Sequence, residues 1–117
     1  MGRAADALPL MERALAIAEA GLGPDHPDMA IRLGNLAFTY EQLGRAADAL
    51  PLRERALQIA ETALGPEHPN VGTALGYLAF TYNDLGRAAD ALRLMERAWK
   101  IAATTLLRER TDLTEPI

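Results

Sequence analysis

The chain contains no cysteine, so neither a disulfide nor a thiolate-held metal contributes to its stability. Aromatic residues are scarce at 5%, although half of all residues are hydrophobic. Ala and Leu dominate that half, and Val, Ile, Thr and Tyr, which sheets favour, do not. The profile is that of close-packed helices and of an all-α fold. A basic excess is also missing. The net charge is −4, opposite in sign to what phosphate binding requires, so no nucleic-acid partner is expected. No apolar run approaches the ~18 residues of a membrane span, so no membrane partner is expected either. The start, Met1 to Asp6, lacks the apolar core of a signal peptide. It also lacks the hydroxyl residue of a myristoylation site, because Asp6 stands there. These absences fit a cytoplasmic chain. Neither a Gly-rich phosphate loop nor a nucleophile–base signature is found. The expectation is therefore a binding module and not an enzyme, with no catalytic residue, no cofactor and no metal.

What the chain does have is an internal repeat, the feature that decides the fold when it is present. Gly-Arg-Ala-Ala-Asp-Ala-Leu begins at Gly2, Gly44 and Gly86. Leu-Gly-Pro-[Asp/Glu]-His-Pro runs from Leu22 to Pro27 and from Leu64 to Pro69. Leu-Ala-Phe-Thr-Tyr runs from Leu36 to Tyr40 and from Leu78 to Tyr82. All three landmarks recur at 42 residues without insertion.

Each period divides into a helix A and a helix B. In Pro27 to Leu43, the residues Met29, Leu33, Leu36, Ala37, Tyr40 and Leu43 share one helical stripe. Pro27 suits the first turn, where its missing N–H is no loss, and Gly44 suits the left-handed position just past the end. Helix B follows from about Arg45 to Leu64, with Ala49, Leu52, Ala56, Ile59, Ala60 and Ala63 as its expected buried side, and Gly65-Pro66 stops it. The same division predicts five helices in the order B-A-B-A-B: about 3–20, 27–43, 45–64, 69–85 and 87–107. Residues 1–107 then form one helical repeat domain, and the polar stretch 108–117, which holds Pro116, is expected to fray. Pro9 and Pro51 fall inside helix B. Because the apolar stripe continues in phase beyond them, they read as mild kinks and not as ends.

The spaced set Leu36-Ala37, Tyr40, Gly44, Ala49 and Ala56, repeated as Leu78-Ala79, Tyr82, Gly86, Ala91 and Ala98, resembles the tetratricopeptide repeat signature. The 42-residue period and the Leu-Gly-Pro-Asp-His-Pro-Asp stretch before helix A are similar to the kinesin-light-chain type. The resemblance covers about Gly2 to Leu107. It implies an α-solenoid of antiparallel helix pairs, a superhelix in which each pair packs on the next. One departure stands out. The large aromatic that the family often carries in mid-helix B is Met11, Arg53 and Met95 here. The first repeat also lacks its helix A, and no solvating cap helix is visible.

In tetratricopeptide proteins the face of helix A opposite the buried stripe lines a concave groove for extended peptides. Here that face carries Ile31, Asn35, Phe38 and Gln42, and in the second copy Thr73, Tyr77, Phe80 and Asp84. By resemblance these eight are the candidate residues for a peptide or protein partner. Asn35 matches an Asn that the kinesin-light-chain type uses to hold a peptide backbone, while Tyr77 stands at the second such position. The other reading of Phe38 and Phe80 is that they pack against each other or the preceding helix. His26 and His68, 42 residues apart in Pro-x-His-Pro turns, read as loop structure and not as metal ligands. The recurring pairs Glu12-Arg13, Glu54-Arg55 and Glu96-Arg97 read as surface solvation, because adjacent residues on a helix do not face each other. The terminal B helices each lack a neighbour, which favours an alternative function: self-association into a homo-oligomer, or a domain swap, through uncapped ends.

Overall fold

The computed structural model describes the backbone of residues 3–114 and the side-chain surroundings of residues 3–110. Five helices follow one another: α1 (Arg3–Leu22), α2 (Pro27–Gln42), α3 (Ala46–Leu64), α4 (Pro69–Asp84) and α5 (Ala88–Thr114). In the terms used above, α2 and α4 are helices A, and α1, α3 and α5 are helices B. The first four boundaries fall within two residues of those read from the sequence. Each helix packs chiefly on its neighbours in the chain. The result is elongated, 55 × 36 × 24 Å, with a radius of gyration of 16.4 Å. A compact domain of this length would have about 13 Å, so the architecture is the open solenoid that the repeat predicted.

The last boundary needs correction. α5 continues to Thr114, past the expected end at Leu107. Leu107-Arg108-Glu109-Arg110 replaces the Gly-Pro pair that stops α1 and α3, and Leu, Arg and Glu are good helix formers. Of the expected frayed tail 108–117, residues 115–117 lie outside the described residues. The prolines behave as expected in one respect: α1 and α3 run unbroken through Pro9 and Pro51.

The core is two copies of one cluster. Ala18, Met29, Leu33, Ala56 and Ile59 are buried together where α1, α2 and α3 meet. Leu57, Val71, Leu75, Leu78 and Ile101 do the same for α3, α4 and α5. Shifting the first cluster by 42 residues turns Met29 into Val71, Leu33 into Leu75 and Ile59 into Ile101. Burying each such side chain contributes ~1.5–3 kcal/mol. Helix B therefore carries two apolar sides. Ile59 and Leu52 face the helix A before it, and Leu50 and Leu57 face the helix A after it. Ala63, expected on the buried side, is instead exposed, because that edge of α3 lies along a groove.

The turns repeat as faithfully as the core. The Nδ1 of His26 accepts a hydrogen bond from the Asp28 amide at 3.1 Å, and that of His68 accepts one from Asn70 at 3.0 Å. Both histidines are thus helix N-caps, with Pro27 and Pro69 in the first turn behind them. At the other end Gly44 and Gly86 sit at φ +73° and +75°. The Arg45 amide reaches back to the Tyr40 carbonyl at 2.8 Å and the Gly44 amide to Glu41 at 3.0 Å, the double bond of a Schellman ending. Arg45 then caps the Tyr40 ring at 4.8 Å and pairs with Asp48. Burial first, and then the Glu12 carboxylate, push the Tyr40 phenol above its ordinary pKa.

The recurrent arginine of helix B does more than solvate the surface. Arg55 pairs with Glu19 at 2.5 Å and Arg97 with Glu61 at 2.6 Å, so each helix B is bridged to the next one. The groups are about one-third exposed, which limits each bridge to ~1 kcal/mol at most.

Glycine substitutions test the backbone assignment. Gly44→Ala and Gly86→Ala each cost about 1–2 kcal/mol, because an L side chain is strained at positive φ. Gly76→Ala, inside α4 with open space around the added methyl, gains about 0.5–1 kcal/mol. Chemical denaturation reads both; equal effects at the two kinds of site would contradict the assignment.

Candidate functional site

The sides of α2 and α4 turned away from the core flank a furrow whose floor is α3. Two adjoining cavities occupy it, of about 690 Å³ and 650 Å³. The first lies along Ile31, Asn35 and Phe38 of α2, Arg53, Ala56, Ala60 and Ala63 of α3, and Thr73 and Tyr77 of α4. The second is bounded by Phe38, Glu41, Gln42, Arg53, Tyr77, Phe80 and Asp84. They share Phe38, Arg53, Thr73 and Tyr77. The small side chains of α3 make the floor deep, since Ala at three consecutive floor positions leaves room a Leu would fill.

All eight residues selected from the sequence line one or both cavities. Phe38 and Phe80 remain 56% and 59% exposed, and Ile31 67%. Packing against each other or against the preceding helix, the other reading of the sequence, leaves such rings less exposed than this. Asn35 reaches the first cavity, whereas its counterpart Tyr77 lies under a guanidinium, so the two positions have diverged in chemistry.

That guanidinium belongs to Arg53, and the sequence reading missed its role. Arg53 is only 7% exposed. Its Nε and Nη2 both donate to Oε1 of Glu41, at 3.0 and 2.6 Å, and Glu41 is buried to the same degree. The Tyr77 ring lies 4.7 Å from the guanidinium carbon. The single Thr81 hydroxyl proton is shared between the second Glu41 oxygen at 3.3 Å and the Tyr77 carbonyl at 3.1 Å. The equivalent buried Thr39 instead touches the sulfur of Met11 at 3.1 Å. A signal for the pair existed. Where helix B departs from Met to Arg53, the preceding helix A carries Glu41; where it keeps Met95, that helix carries Asn83.

The chain matches the family model described as tetratricopeptide repeat over residues 1–62 and again over 28–104. Among solved structures it is similar to the crystal structure of nearly identical TPR-like repeats from a Podosopora anserina protein assigned as a kinesin light chain. It is equally similar to a glutamine-to-methionine variant of that protein. Each gives a TM-score of 0.81 and 30% identity, covering 89% of this chain and 49% of that one. The chain thus spans about half the length of these solved relatives. No curated protein matches it.

The Arg53–Glu41 pair makes a clear demand on stability. Arg53→Ala leaves Glu41 buried without its counter-charge and is expected to cost about 3–5 kcal/mol. The double variant Arg53→Met with Glu41→Asn carries the residues of the other repeat, Met95 and Asn83, and should return to within about 1 kcal/mol of the parent. Denaturant titration of the three proteins checks this; a single variant as stable as the parent contradicts it.

Proposed function

The chain belongs to the tetratricopeptide repeat family, in its kinesin-light-chain-type form, and from that premise we propose that it binds an extended peptide segment of a partner protein in the furrow between α2 and α4. Repeats of this family are generally protein–protein interaction scaffolds, and the reading is of a binding module without catalysis. The observation that carries it is the exposure of Phe38 and Phe80 beside two joined cavities. Two rings more than half exposed on neighbouring helices are an apolar patch with a cost in water. A ligand covering both supplies part of the ~8 kcal/mol that a micromolar complex needs. The remainder falls to Ile31, Asn35, Gln42, Thr73, Tyr77 and Asp84 along the same furrow.

A second reading, self-association through the ends, has its own support. Leu10 and Ile17 of α1 are 66% and 67% exposed, and Leu92 and Trp99 of α5 are 53% and 59% exposed. Their counterparts 42 residues away, Leu52 and Ile59 and then Leu50 and Leu57, are covered by a helix A. Both bare faces are shaped for a helix A, and both ends of the described array are helices B. Association of two copies through these faces would therefore require exchange of a helix, or direct contact between two faces that inside the molecule pack on a helix A.

Phe38→Ala with Phe80→Ala separates the readings. The pair is expected to weaken capture of groove peptides about 30-fold or more while moving stability by no more than about 0.5 kcal/mol, as exposed positions do. Binding left intact in that variant, together with a mass that rises with concentration and falls back when Trp99 is replaced by Glu, would replace the groove reading with the second.

A further inference from the structure

The floor of the furrow also specifies what kind of peptide fits. This inference rests on the groove reading above. Arg53 spends Nε and Nη2 on Glu41, and among the described residues Nη1 has no hydrogen-bond partner. Among the described residues no fully buried side-chain N or O atom lacks a partner, so Nη1 keeps some access, through the cavities that Arg53 lines. It does so where the two cavities join, beside Gly34, whose missing side chain keeps the approach open: a methyl added there would lie 3.6 Å from Nη1. The guanidinium is thus a donor held rigid by Glu41 and by the Tyr77 ring, at more than nine-tenths burial. Its charge is already balanced. A neutral acceptor such as a main-chain carbonyl suits this edge, because a carboxylate would meet Glu41 as well.

The rim adds a sign. Asp28 borders the first cavity and Asp84 the second. With Glu41 they make three carboxylates against the single cation Arg53, which leaves the lining at −2. We infer that the furrow selects extended peptides with an apolar centre and basic flanks, anchored midway by one main-chain carbonyl on Arg53 Nη1, and that it disfavours acidic peptides. The long-range attraction raises encounter with cations and repels anions, and short pairs across the rim hold Lys or Arg in place.

The chain itself supplies safe variants. Asp28 has Asn70 as its counterpart, Asp84 has Gln42, Glu41 has Asn83 and Arg53 has Met95. Each exchange therefore installs a residue the fold already accepts, and Arg53→Met with Glu41→Asn leaves the lining charge unchanged. The full chain is probed on an array of random decapeptides. The parent is expected to retain peptides enriched at least about threefold in Lys and Arg and depleted in Asp and Glu. Asp28→Asn with Asp84→Gln should remove most of that bias. Arg53→Met with Glu41→Asn should weaken all retained peptides alike, by about tenfold, since a carbonyl contact is blind to sequence. Retained peptides rich in acid, or affinities within twofold in the Arg53/Glu41 variant, overturn the inference. If those peptides are still lost in Phe38→Ala with Phe80→Ala, the groove reading stands without it. An array on which the parent retains nothing beyond that Phe variant sinks the groove reading and this inference together.

Discussion

Every helix B in this chain is apolar on two sides, each suited to pack on a helix A, and among the described helices α3 has both sides covered. Leu52 and Ile59 require α2, and Leu50 and Leu57 require α4. This double requirement turns a 42-residue repeat into a stack, since a helix pair alone leaves one side wet. It also shapes the furrow, because the small residues of α3 line the space that α2 and α4 leave between them. The bare sides of α1 and α5 express the same requirement where no helix A meets it in the described structure. The furrow and the bare faces of α1 and α5 are thus two consequences of one packing rule.

Against this regular background one position is irregular. Arg53 occupies the place of Met11 and Met95, and Glu41 the place of Asn83. A buried ion pair of this kind contributes little net stability compared with apolar residues of similar size, while loss of one partner is costly. Its presence in the floor of the furrow, with Tyr77 stacked on it and Thr81 on its far oxygen, makes more sense as preorganisation than as stabilisation. A guanidinium that is already oriented gives up no side-chain freedom when a ligand arrives.

Much of this was legible in the sequence, and the reasons are specific. Helix ends at Gly44, Gly65 and Gly86 could be read because glycine and proline punctuate the chain at one period. The outward residues Phe38 and Phe80 could be read because the face opposite a buried stripe is fixed by 100° per residue. The C-terminal end of α5 was misjudged because the stop signal there is missing, and a polar run such as Arg108-Glu109-Arg110 looks alike in a helix and in a tail. Arg53 and Glu41 are 12 residues apart on two helices, and Arg55 and Glu19 are 36 apart. No local period links such pairs; only the crossing of successive helices does. The recurring Glu-Arg pairs read as surface solvation in the sequence, a reading that leaves out the bridges of Arg55 to Glu19 and of Arg97 to Glu61.

The central claim is that the surface between α2 and α4 is where a partner's chain is received. The most direct measurement follows the amide resonances of the labelled full chain while a peptide retained from a random decapeptide library is added. The account predicts shifts concentrated at Gly34, Asn35, Thr73 and Tyr77, with α1 and the outer side of α5 unmoved. Shifts gathered instead around Ile17 and Trp99, with Asn35 and Tyr77 unchanged, would contradict it.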